Sequence, residues 1–184
     1  LNERPIRDLV DALRELGAKI EYCDREGELP VKIRSSTLSG QSVHLKGAIS
    51  SQFCSALLLI APSLLNGLTL HMEGPLISKP YVDMTLDCMR DWGVQVIHPE
   101  EATYLIPKGQ SYQKKQYVIE GDFSSAGYFF AIAVLTKSKI TVENLNPHSA
   151  QADRKFLTIL EKMGNPVIYE ENKISIKGKE IKAK

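Results

Sequence analysis

With 184 residues, 43% hydrophobic and 24% charged, the chain has the composition of a globular protein, enough for one large domain or two small ones. Its net charge of +1 gives no broad basic excess for holding a nucleic acid by its phosphates, and no apolar run approaches the length of a membrane span. Cys23, Cys54 and Cys88 form no C-x-x-C, and the four histidines lack ligand spacing, so the expectation is reduced structural thiols and no metal site. No signal peptide is read at the start, and a reducing, cytoplasmic setting is expected.

Taken in order, Pro5 suits the first turn of a helix, and Ile6, Leu9, Val10, Leu13 and Leu16 give it one apolar face. Gly17 is expected to end it as a left-handed cap. Strands are predicted at about 19–22, 31–34 and 43–46, with Gly27, Pro30 and Gly40 in the turns. Ser50-Ser51 then opens an apolar helix that Pro62 closes, and a strand follows over 68–72. A helix from Lys79-Pro80 to Trp92, capped by Gly93, leads to strands near 94–98, 104–107 and 116–120. Ser124-Ser125 opens a second apolar helix, and a strand follows over 139–142. A helix from about 150 to 163 and strands near 166–169 and 173–177 complete the pattern.

Two phrases recur. Gly47-x-x-Ser50-Ser51 returns 74 residues later as Gly121-x-x-Ser124-Ser125. A helical phrase ending in glycine occurs three times, at Gly17, Gly93 and Gly164. Two interleaved signatures at nearly one spacing make an internal repeat. The fold class expected is α+β, built from repeated βαβαββ units whose sheets pack around buried helices. Leu1 leads almost at once into a helix start and the last residues read as an unfinished strand region, so a piece of a longer protein is expected.

The chemistry should lie at helix N-termini, where unpaired backbone N–H groups and the helix dipole favour an anion. Ser50, Ser51 and Gln52 offer donors at one N-terminus. Ser78 and Tyr81 flank Lys79-Pro80 at another, and Arg4 could grip a phosphate or carboxylate with two hydrogen bonds. No nucleophile–base pair and no G-x-x-x-x-G-K-[ST] or spaced G-x-G-x-x-G is present. The residues read as a binder of a small, multiply charged anion.

Five blocks carry a resemblance. Glu3-Arg4-Pro5-Ile6 with Leu9-Val10-Asp11-Ala12-Leu13 is the first, and Gly47-x-x-Ser50-Ser51-Gln52-Phe53 with Ser55-Ala56-Leu57-Leu58 the second. Ser78-Lys79-Pro80-Tyr81-Val82-Asp83-Met84-Thr85-Leu86 is the third. Gly109-Gln110-Ser111-Tyr112 and Glu120-Gly121-Asp122-x-Ser124-Ser125-x-x-Tyr128-Phe129 complete the set. In this order they resemble the 5-enolpyruvylshikimate-3-phosphate (EPSP) synthase family.

The resemblance implies transfer of an enolpyruvyl group from phosphoenolpyruvate to shikimate 3-phosphate, without metal or organic cofactor. It implies two lobes of three βαβαββ units each, with residues 1–120 in the lobe that binds shikimate 3-phosphate and 121–184 beginning the return into the other. It carries Ser50, Ser51, Gln52, Ser78 and Tyr81 over as shikimate 3-phosphate contacts, and Arg4 and Gln52 as phosphoenolpyruvate contacts. Lys79 is read as peripheral, and Ser124 and Ser125 as caps. The family is typically monomeric, and the arginine that Arg4 matches is also its contact for glyphosate. The family's substrate-binding lysine, glycine-rich loop, aspartate base and second-lobe cations have no counterpart here, and Ala152 stands where a glycine is usual. The chain alone is therefore expected to be inactive and to bind substrate weakly at best. UDP-N-acetylglucosamine enolpyruvyl transferase shares the fold and chemistry but not Ser50-Ser51-Gln52 or Ser78-Lys79-Pro80-Tyr81. An enzyme of the RNA 3′-phosphate cyclase type shares the repeat alone. A non-catalytic binding module with the same repeats is the reading from another class.

Overall fold

The computed structural model describes residues 4–48, 50–113 and 116–180. Glu3 and Ile49, which fall in the matched blocks, lie outside the described residues. The chain divides into two compact units, Leu1–Lys115 and Gln116–Lys184.

The first unit opens with α1 (Arg7–Glu15), followed by the antiparallel hairpin β1 (Lys19–Tyr22) and β2 (Val31–Arg34). The helix begins after Pro5 rather than at it. The Ile6 N–H is donated to the Gly27 carbonyl, so the chain turns into the helix only past that tie. Then come β3 (Ser42–Lys46), α2 (Ser51–Ile60), β4 (Leu68–Glu73), α3 (Lys79–Asp91) and β5 (Thr103–Ile106). Strands β3 and β4 are parallel, joined by the α2 crossover, and β5 adds antiparallel to β4. The inward residues Val43, Leu45, Leu68, Leu70 and Met72 alternate along β3 and β4 and pack on Cys54, Leu57 and Leu58 of α2 and Val82 and Met89 of α3.

The second unit holds α4 (Phe123–Leu135), β6 (Lys139–Glu143), α5 (Lys155–Lys162), β7 (Val167–Glu170) and β8 (Lys173–Lys177). Its sheet order is β6-β8-β7, antiparallel throughout. Phe123, Phe130, Leu157, Leu160, Ile174 and Ile176 form its core. Residues 152–154 form a 3-10 turn before α5, so the predicted helix from about residue 150 starts as two pieces.

The repeat is visible in atomic detail. At Gly17, Gly93 and Gly164 the chain has positive φ, and the glycine N–H is donated to the carbonyl three residues back. The next N–H reaches five residues back, to Leu13, Met89 and Leu160, which is the Schellman ending in all three places. Gly47 donates to the Glu73 carbonyl and Gly121 to the Asn144 carbonyl, each pinning the entry to an apolar helix. A Cβ at either would press on a carbonyl oxygen, of Pro75 or of Asn144.

Two predicted strands do not form. Residues 94–98 are held by one isolated bridge, Ile97 to Leu105. The Gln110 side chain takes both main-chain groups of Gln95, at 2.7 and 2.9 Å, in place of a neighbouring strand. Residues 116–120 are tied through side chains: Asn144 Nδ2 to the Ile119 carbonyl, and Ser149 and Gln151 to the Glu120 carboxylate. Within this chain the apolar helices are buried on one flank. Helix α4 buries Phe123, Ala126, Phe130, Ala133 and Val134, but Tyr128 is 75% and Leu135 72% exposed, with Phe129 and Ile132 also open. Each unit covers only the flank of the helix that faces its own sheet.

Candidate functional site

Helix α2 starts where an extended Ser50 (φ −163°, ψ 124°) turns the chain, and Ser50 Oγ accepts the Gln52 N–H at 3.2 Å. The first turn contains no acidic residue. Helix α3 starts at Ser78, which sits in the left-handed region (φ 61°, ψ 38°) and whose hydroxyl does not cap the helix. A non-glycine residue held there is strained, and such strain collects where a ligand site dictates backbone direction. The Tyr81 N–H is donated to the Ser78 carbonyl at 3.0 Å.

These two helix starts border one cavity of about 700 Å³. Ser50, Ser51, Gln52, Ser78 and Tyr81 all line it, although the sequence separates the two groups. Ser55, Ala56, Leu59, Ile77, Met84 and Thr85 complete the lining. Ser55 and Thr85 were missed in the sequence; each lies one helical turn beyond a predicted residue, Ser51 and Tyr81, and that spacing was the available signal. None of the lining side chains carries a formal charge. The cavity therefore offers an anion hydroxyls, an amide and helix N-termini, with no cation of its own.

Arg4 is exposed and is not part of this lining. The Lys79 ammonium is turned to Asp83, at 2.7 Å, one turn along the exposed face of α3. The Gly109-Gln110-Ser111-Tyr112 block braces the unit: Gln110 holds Gln95, and the Tyr112 hydroxyl donates to the Leu59 carbonyl at 2.8 Å. Cys54, one turn into α2, is buried, and burial pushes its thiol up to about 12, so no thiolate forms near neutral pH. Among the described residues no three His, Cys, Asp or Glu side chains gather as a metal site.

The second Ser-Ser phrase is built differently. The cap of α4 is Asp122, not the serines. Its carboxylate accepts the Ser124 N–H at 3.0 Å, the Ser125 N–H at 3.1 Å and the Ser125 hydroxyl at 2.6 Å. Those bonds hold its carboxyl below the usual aspartate range, the Ser125 hydroxyl contributing most. Gln151 Oε1 accepts the Phe123 N–H at 2.8 Å.

The family model for EPSP synthase (3-phosphoshikimate 1-carboxyvinyltransferase) matches residues 1–184. The chain belongs to the EPSP synthase family. A 3-phosphoshikimate 1-carboxyvinyltransferase of Colwellia psychrerythraea is 42% identical over 184 residues, all of this chain and 43% of that protein. That of Vibrio vulnificus is 43% identical over 173 residues, 94% of this chain and 40% of its own length. The chain thus spans about two fifths of these EPSP synthase relatives. Among solved structures, EPSP synthase from Acinetobacter baumannii matches with a TM-score of 0.71 at 22% identity, over 97% of this chain and 41% of that one. The enolpyruvyl transferase NikO from Streptomyces tendae matches with a TM-score of 0.67 at 16% identity, over 98% and 43%. Both likenesses show the α+β fold of the family.

Proposed function

We propose that this chain supplies the shikimate 3-phosphate pocket of an enzyme that transfers the enolpyruvyl group of phosphoenolpyruvate to shikimate 3-phosphate and releases phosphate. The observation that carries the reading is the meeting of Ser50, Ser51, Gln52, Ser78 and Tyr81 around one cavity. In this reading Ser50 and Ser51 receive the substrate phosphate at the open N-terminus of α2. Gln52 extends towards the reacting centre, and Ser78 and Tyr81 hold the ring side of the substrate. Arg4 is the phosphoenolpyruvate clamp and the glyphosate contact.

The neutral lining has a consequence. A phosphate dianion met only by neutral donors is held far less tightly than one met by Arg or Lys. The cations, and the groups that move the transferred protons, are proposed to come from the remaining length of the enzyme. The chain alone is then inactive and binds weakly. Residues 1–120 are assigned to the lobe that binds shikimate 3-phosphate and 121–184 to the start of the return into the second lobe. The exposed faces of α2 and α4 are the surfaces that further units of those lobes would cover. The enzyme is placed in the cytoplasm as a monomer.

Titration of shikimate 3-phosphate into this chain, followed by backbone amide NMR, tests the pocket. Shifts centred on Ser50, Ser51, Gln52, Ser78 and Tyr81, with millimolar saturation, are expected. Shifts that gather elsewhere, or enolpyruvyl transfer by the full-length enzyme that is untouched by Ser51→Ala, would sink the assignment.

A further inference from the structure

The cavity has a polar tie one turn below its mouth. Ser55 follows Ser51 on α2 by four residues, and Thr85 follows Tyr81 on α3 by four, so both point the same way as the residues above them. Their hydroxyl oxygens are 2.7 Å apart. Thr85 Oγ1 also donates to the Tyr81 carbonyl at 3.0 Å. A threonine hydroxyl carries a single proton. When that proton is given to the Tyr81 carbonyl, Thr85 Oγ1 accepts from the Ser55 hydroxyl. The contacts run from the Ser55 hydroxyl through the Thr85 hydroxyl to the Tyr81 main chain.

We propose that Ser55 and Thr85 are positioning residues, which set the spacing between the N-terminal turns of α2 and α3 and so between the two halves of the pocket. The proposal rests on the shikimate 3-phosphate reading given above. One ligand must reach Ser50, Ser51 and Gln52 on α2 together with Ser78 and Tyr81 on α3. Its fit depends on the gap between the two helices. A half-buried apolar pair would fill that gap as well as two hydroxyls but could slide; a 2.7 Å hydrogen bond that continues into the backbone of Tyr81 cannot. Small misplacements of positioned groups are costly in binding and in rate.

The test is steady-state kinetics of the full-length enzyme with Ser55→Ala, Thr85→Val and Thr85→Ser, each with a thermal melt, and Ser51→Ala beside them. Ser55→Ala and Thr85→Val should each raise the KM for shikimate 3-phosphate about tenfold, the scale of one net hydrogen bond, with a smaller change in kcat. Thr85→Ser keeps the hydroxyl and should restore KM. A purely structural tie would lower Tm and leave the KM of the folded enzyme alone. The proposal is overturned if Ser55→Ala and Thr85→Val keep the wild-type KM while Ser51→Ala raises it. It falls with the pocket assignment itself if Ser51→Ala also leaves KM unchanged.

Discussion

The N-termini of α2 and α4 share the phrase Gly-x-x-Ser-Ser and use it in opposite ways. In α4 the residue after the glycine is Asp122, and the helix starts there, so the two serines fall inside the first turn. The carboxylate takes two backbone N–H groups and a hydroxyl, and Gln151 takes the Phe123 N–H. The positive end of the helix is met by a charge from within the chain. In α2 the residue after the glycine is Ala48, the cap is the neutral Ser50, and the helix starts at the second serine, Ser51. That end stays available to an anion from outside. The same Ser-Ser pair thus sits at one helix start closed by a carboxylate and at another capped by a neutral hydroxyl.

The comparison can be broken from below or at the cap. The largest effect should come from Leu57→Ala, beneath α2, where the side chain is fully buried. A loss of about 2–5 kcal/mol in unfolding free energy is expected from chemical denaturation, and ligand binding should fade with the fold. Ser50→Asp should separate binding from folding. Aspartate caps as well as serine, so the melt should hold or rise. A like charge ~4 Å from a bound phosphate is worth up to about 4 kcal/mol at an effective dielectric of ~20, so affinity for shikimate 3-phosphate should drop by about a hundredfold or more. Ser50→Asn, an equal cap without the charge, should keep most of the affinity. Equal loss in both variants, read by titration, would mean that the open N-terminus is not where the phosphate sits.

Much of the architecture was readable because local rules and the fold agree. Gly17 and Gly93 are expected as helix caps and Gly164 as the end of the same repeated phrase, and all three carry the same pair of hydrogen bonds. The alternation of Val43 and Leu45 set the β3 face that packs on α2. The failures came where a side chain took a role usually given to backbone. Gln110 satisfies Gln95, and Ser149 and Gln151 hold Glu120, so neither 94–98 nor 116–120 needs a strand partner. Such long-range side-chain ties leave no periodic trace in the sequence. The Asp122 cap follows the ordinary rule for helix starts and lies two residues before the repeated serines. At the site, the hydroxyl and amide donors could be read from their place at a helix start. The Ser55–Thr85 tie could not, because it depends on how α2 and α3 pack.

The smallest expected effect isolates the charge at the closed end. The Asp122 carboxyl is held below its ordinary value of 3.8 by the Ser125 hydroxyl and the Ser124 and Ser125 N–H groups. A carboxyl with a depressed folded-state pKa adds stability that is present above its unfolded pKa and is lost as pH falls through the lower, folded value. The contribution should thus be complete above about pH 4 and disappear below it. Asp122→Asn keeps one acceptor at the cap and removes the charge. Melts of wild type and variant from mildly acidic pH downward should converge as the wild-type carboxyl protonates, with the wild type the more stable at the upper end. Because the group is exposed, added salt should narrow the gap. A gap that stays constant across the acid range would mean that Asp122 acts by hydrogen-bond geometry alone. The contrast between α2 and α4 would then be one of shape, and the open N-terminus of α2 would lose its claim to favour an anion by charge.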